Sequence, residues 1–151
     1  MKQTFTIEDN SLTSIQTYAL LVGFPNDEVA ATSLVFQRMG WRLIGLHEET
    51  EILSVVTRQQ MDIIIVDVEN SNTSATLLIE EVRLSSCRSN NATIVAIADN
   101  CHEGLRRQLK QAGADLVVGR GTAPMYFFTD LMRAAISRLR NSFTEMHGKY
   151  V

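Results

Sequence analysis

Short apolar runs alternate with helix-patterned stretches along this chain. The runs are Tyr18-Ala-Leu-Leu-Val22, Arg42-Leu-Ile-Gly-Leu46, Asp62-Ile-Ile-Ile-Val66, Thr93-Ile-Val-Ala-Ile-Ala98 and Leu116-Val-Val-Gly119. The third and fourth are continuous and β-branched, the pattern of strands buried on both faces. The second is less apolar, which places it nearer an edge. Between the runs, Asp27 to Met39 predicts a helix with Val29, Ser33 and Phe36 on its inner stripe, closed by Gly40 in a left-handed terminus. Glu49 to Gln59 groups Ile52, Leu53 and Val56, and Ser74 to Leu84 groups Leu78, Ile79 and Val82. Glu103 to Ala112 stops at Gly113, and a last helix opens at Pro124 and runs to about Phe143. Strands alternating with helices in this way predict an α/β domain: a parallel sheet covered on both faces, joined by right-handed crossovers.

Length and composition change this picture little. The 151 residues suit one domain, expected over 17–143, with an extension at 1–16 and a tail or linker at 144–151. A chain of that size buries enough surface to fold without a disulfide or metal. Hydrophobic residues at 45% and charged residues at 21% are ordinary for a globular domain. With a net charge of −3 and no long basic run, a nucleic-acid surface is not expected in this segment. No apolar run approaches the roughly 20 residues needed to cross a bilayer, and Met1 to Thr17 lacks the apolar core of a signal peptide. No membrane contact and a cytoplasmic location are therefore expected. Cys87 and Cys101 fit no metal or redox spacing, and Cys101 beside His102 lacks further ligands.

Ligands of open parallel sheets bind beyond the carboxyl ends of the strands. Of the residues there, Asp67, Asp99, His47 and Arg120 carry useful chemistry. Simpler roles exist for each. Asp67 suits a turn at a strand end, Asp99 and Asn100 suit the start of the next helix, His47 suits an exposed loop, and Arg120 equally suits contact with solvent or a neighbouring loop. No nucleophile stands with a base, so an enzyme is not expected.

The stretch Gln111-Ala-Gly-Ala-Asp115 before a short strand, and Asp62-Ile-Ile-Ile-Val-Asp67 ending in an aspartate, resemble the receiver domains of bacterial response regulators. The resemblance covers about Tyr18 to Leu139. It implies a flavodoxin-like (βα)5 fold, five parallel strands in the order 2-1-3-4-5, and a place in two-component signalling. It also implies that Asp67 stands where the family carries its phosphate acceptor. The rest of that machinery is replaced in this sequence. Gly23 and Phe24 occupy the places of the two acidic residues that hold Mg²⁺, and Ala98 that of the hydroxyl residue. Arg120 and Gly121 replace a lysine and proline, and Val117 the aromatic switch. Asn70, Ser71 and Ala75 replace the Met-Pro and Gly of the loop after the acceptor.

Phosphoryl transfer to a carboxylate requires the approaching anionic oxygens to be neutralised. One carboxylate beside Gly23 and Phe24 is a poor magnesium site, so Mg²⁺ binding is expected to be weak or absent. Arg120 is expected to pair with Asp67 instead, its planar fork matching the carboxylate. The last helix carries a band of Met125, Tyr126, Phe127, Phe128, Leu131, Met132 and Ile136, too wide for one inner stripe. Because receivers commonly dimerise through the fourth helix, fifth strand and fifth helix, Met125, Tyr126, Phe128, Leu131 and Met132 form the candidate interface; packing under the N-terminal extension is the alternative. The expectation is thus a degenerate receiver that signals by protein interaction without phosphorylation and regulates an attached output domain, for instance in transcription. Two alternatives remain: a working phosphoacceptor using Asp67 with an unusual metal site, and a sensor of anionic small molecules at Arg120 between its flanking glycines.

Overall fold

The computed structural model describes residues 17–69, 74–84 and 86–119. Five strands, β1 (Thr17–Val22), β2 (Trp41–Leu46), β3 (Ile63–Asp67), β4 (Thr93–Ala98) and β5 (Leu116–Gly119), alternate with four helices, α1 (Asn26–Arg38), α2 (Glu49–Arg58), α3 (Ala75–Val82) and α4 (Glu103–Ala112). All four strand pairings are parallel and the order is β2-β1-β3-β4-β5. The fold and strand order are those expected from the sequence, with β2 at one edge. The 1–16 extension, Asn70 and Ser71, Arg120 and Gly121, the last helix with its apolar band and the 144–151 tail lie outside the described residues.

Two apolar layers sandwich the sheet, as the alternation of side chains along each strand requires. Leu20, Val22, Ile64, Val66, Ile94 and Ala96 point to the side of α2, α3 and α4, where Ile52, Val56, Leu78, Ile79 and Val82 meet them. Ala19, Leu21, Ile63, Ile65, Val95 and Ile97 point to the opposite side, where Phe24, Phe36 and Trp41 pack. The rings of Phe36 and Trp41 meet edge to face, with centroids 5.8 Å apart.

Two local expectations need correction. The inner stripe of α1 includes Thr32 rather than Ser33, which is only half-buried. Both lie one turn before Phe36, and the helix rotates Thr32 inward, where its hydroxyl finds no hydrogen-bond partner. The start of α4 is not set by Asp99 or Asn100. His102 is the cap, and its Nδ1 accepts the Leu105 N–H at 3.1 Å. Gly40 closes α1 with φ +81°, as expected.

The amino ends of the strands are tied by two matching clasps. Asp62, just before β3, donates its N–H to the Tyr18 carbonyl at 2.9 Å, while its Oδ2 accepts the Tyr18 N–H at 2.8 Å. Asp115, just before β5, makes the same exchange with Ile94: its N–H reaches the Ile94 carbonyl at 2.8 Å and its Oδ2 accepts the Ile94 N–H at 2.8 Å. Each carboxylate thereby satisfies a backbone donor at a point where the ladder has not begun. Burial raises the Asp62 carboxyl above its ordinary range, and the bond from Tyr18 opposes part of that rise.

Arg83, at the end of α3, ties the second clasp to two turns. Its Nε and Nη2 donate to the Gly113 carbonyl at 3.0 and 2.8 Å, and its Nη1 to the carbonyls of Asn90 and Ala92 at 2.9 and 2.7 Å. Nη2 also reaches Asp115 Oδ2 at 2.8 Å. All five guanidinium hydrogens are thus used. Gly113 adopts φ +129°, and a Cβ there would lie 2.7 Å from Arg83 Cγ, so both the turn and the arginine require glycine. Nearby, the fully buried Ser89 hydroxyl donates to the Gln59 carbonyl at 2.7 Å and accepts the Met61 N–H at 2.9 Å.

Candidate functional site

Parallel strands all end on the same side, so the residues that follow β1, β2, β3 and β4 form one rim. Asp67 is the last residue of β3, in register with Ile97 of β4, and the backbone continues with the Val68 N–H donating to the Ile97 carbonyl at 2.8 Å. Its side chain is almost wholly buried, at 1% exposure. Asp67 is therefore part of the strand and the core rather than an open turn.

The positions around it are apolar or lack a side chain. Gly23 follows β1 with φ +84°, and its N–H donates to the Leu46 carbonyl at 3.0 Å. That left-handed conformation suits glycine, and any other residue there bears a steric cost. Phe24 is completely buried and belongs to the layer containing Phe36, Ile65 and Ile97. Ala98, also completely buried, is paired with Gly119 across β4 and β5. Val117, at 2% exposure, belongs to the other layer, and its carbonyl accepts a bond from Arg106 Nη1 at 2.7 Å. Arg120, expected opposite Asp67, lies outside the described residues.

One rim residue was missed in the sequence. Glu69, two residues beyond Asp67, reaches across to the loop after β4, where its Oε1 accepts the Asp99 N–H at 3.0 Å. This ties the loops after β3 and β4 together. The available signal was an acidic residue two positions after a strand-end aspartate, but its partner is 30 residues away in sequence. His47 and Asp99 are both exposed on the rim. Among the described residues, no three His, Cys, Asp or Glu side chains are grouped so as to hold a metal ion. Both cysteines are free thiols, with Cys87 buried and its Sγ donating to the Val56 carbonyl at 3.1 Å.

The exposed side of α4 is polar, carrying Glu103, Arg107, Gln108, Lys110 and Gln111. The large exposed hydrophobics among the described residues lie elsewhere: Leu34 on α1, and Leu77 and Leu84 on and just after α3. No described helix is long and apolar enough to cross a membrane.

A flavodoxin-like sheet with an aspartate at the end of its third strand defines the architecture of receiver domains, and known structures agree. The chain is similar to a response regulator receiver domain protein from Methanospirillum hungatei, with 14% identity, a TM-score of 0.69, and coverage of 86% of this chain and 98% of that one. A two-component response regulator from Clostridium difficile matches at 13% identity and TM-score 0.68, covering 83% of this chain and 97% of that one. A response regulator from Burkholderia pseudomallei, solved with a phosphorylated aspartic acid, calcium and citrate, matches at 16% identity and TM-score 0.65 over 90% of this chain and 74% of that one. These likenesses establish the receiver fold. No family model and no curated protein matches the sequence.

Proposed function

We propose that this chain is a degenerate receiver that signals through protein contact rather than through phosphorylation, and that it regulates an attached output domain. The observation that carries this reading is the complete burial of Phe24 in an apolar layer beside Gly23, where the fold would otherwise present acidic groups. Magnesium takes oxygen ligands at short range and keeps a strict geometry. Phe24 and Gly23 offer no side-chain oxygen, Ala98 offers no hydroxyl, and one oxygen of the Glu69 carboxylate accepts the Asp99 N–H. On this reading the described residues hold no resident divalent cation and carry out no phosphoryl transfer. On this reading the protein is not an enzyme and works in the cytoplasm. It binds a protein partner, or a second copy, through α4, β5 and the apolar residues that follow in the sequence. The polar surface of α4 makes that contact depend on the apolar residues after Pro124.

A second reading has one observation in its favour. Asp67 stands at the correct register on β3, with the acidic Glu69 and Asp99 on the adjoining rim. Under it, Asp67 still accepts a phosphoryl group with metal held in an unusual way. Incubation with a small phosphodonor and magnesium, followed by intact-mass measurement, separates the two. Unchanged mass is expected, and a stoichiometric gain of one phosphoryl group, lost in Asp67→Asn, would establish the second reading.

A further inference from the structure

We propose that copies of this chain associate head to tail, the outer face of α1 on one copy seated against the outer face of α3 on the next. The large exposed hydrophobics among the described residues are Leu34 at 60% on α1, and Leu77 at 59% and Leu84 at 51% on and just after α3. Each stands beside charge of one sign. Residues three and four apart share one face of a helix, so Leu77, Glu80, Glu81 and Leu84 form a single exposed stripe. The Leu84 N–H donates to the Glu81 carbonyl at 3.2 Å, which carries the helical turn past Val82. On α1, Leu34 shares its face with the exposed Arg38, one turn further on. One stripe is thus apolar and acidic, the other apolar and basic.

The two stripes cannot meet within one molecule. Phe36 of α1 packs in the layer on one side of the sheet, whereas Leu78, Ile79 and Val82 of α3 pack in the layer on the other. Their outer faces therefore look in opposite directions. Two different surfaces that fit each other make a heterologous contact, in which every copy uses one and leaves the other for its neighbour.

A second copy is the occupant because this chain carries what each stripe needs, a leucine beside the opposite charge. Leu77 and Leu84 lie about 10 Å apart along their axis, with the glutamates between them. That spacing seats one leucine from a facing helix. Arg38, about 6 Å from Leu34 along α1, then comes within reach of Glu80 or Glu81. The leucines supply affinity and the charges set orientation, since exposed ion pairs contribute little by themselves. A contact this small is transient and forms at high concentration.

Sedimentation velocity of the full chain from about 0.01 to 1 mM tests the proposal. Average mass should climb with concentration beyond two copies, and a mass that stays constant or stops at two would overturn it. Leu34→Glu blocks one stripe, and Leu77→Ser with Leu84→Ser blocks the other; all three positions are exposed, so folding is spared. Each variant alone should self-associate at least about tenfold more weakly than the parent. Mixed together they retain one intact contact, and should bind each other as tightly as two parent copies do. A mixture no tighter than either variant alone would overturn the proposal. So would association that is unchanged in every variant, because the contact would then lie on another face. Arg38→Glu should weaken self-association, and adding Glu80→Lys and Glu81→Lys to that chain should restore it; no recovery counts equally against the proposal.

Discussion

At the amino ends of the strands, Asp62 and Asp115 each exchange two hydrogen bonds with a neighbouring strand, and Arg83 spends all five of its donors there. At the carboxyl ends, Asp67 is buried, and Gly23, Phe24 and Ala98 at the ends of the neighbouring strands carry no side-chain polar group. The same sheet thus has an amino end held by polar clasps and a carboxyl end where Asp67, Glu69 and Asp99 stand with the apolar positions 23, 24 and 98. Polar groups are retained where each has a partner, because an orphaned buried donor or acceptor costs more than its hydrogen bond contributes. The lesson is that the clasps that position the strands do not depend on the residues of the opposite rim.

The most severe way to break this comparison is to place an acidic residue at position 24. Phe24→Asp removes a fully buried ring and adds a charge to the layer around Phe36 and Ile97, so it is expected to cost at least about 4 kcal/mol. Phe24→Leu should cost only about 1 kcal/mol. Denaturant midpoints of both variants check this, and a Phe24→Asp protein as stable as the parent would show that the rim is open rather than packed.

At the polar end, Arg83→Ala strands the carbonyls of Asn90, Ala92 and Gly113 and one partner of Asp115. Its side chain is 24% exposed, so water replaces part of the loss, and a cost of about 2–3 kcal/mol is expected in chemical denaturation. Arg83→Lys should recover little, since an ammonium cannot serve carbonyls on three sides.

Asp62 gives a smaller, pH-dependent effect. Its carboxyl is raised in the folded protein, so the native state holds the proton more tightly than the unfolded chain does. That contribution is fully present below the unfolded value of about 4 and fades as pH rises through the folded value. Asp62→Asn keeps an acceptor for the Tyr18 N–H but cannot ionise. The stability difference between variant and parent should therefore move in favour of asparagine as pH rises from acid to neutral, and thermal melts across that range measure it. The smallest effect is expected for Thr32→Val, which replaces an unpartnered buried hydroxyl by a methyl group of similar shape and should stabilise by up to about 1 kcal/mol.

Much of this fold was legible in the order of residues. Ile63 to Asp67 and Thr93 to Ala98 are continuous because both faces of β3 and β4 are covered, and the mixed character of β2 matches its edge position. What escaped notice depends on rotation or long-range register. Thr32 and Ser33 differ by about 100° around α1, and composition does not say which turns inward. The cap at His102 lies three residues beyond Asp99 because the backbone after β4 bends before the helix begins. The clasps join Asp62 to Tyr18 and Asp115 to Ile94 across 44 and 21 residues, and nothing local signals them. For the site, the apolar character of positions 23, 24 and 98 was plain from the sequence, while the tie between Glu69 and Asp99 needed the two loops brought together.

Magnesium titration followed by backbone amide chemical shifts tests the account most directly. The shifts of Gly23, Phe24, Asp67 and Ala98 should stay constant as the cation is added, or drift without saturating, and Asp67→Asn should behave alike. Saturable, one-to-one shifts at those four residues, abolished by Asp67→Asn, would contradict it.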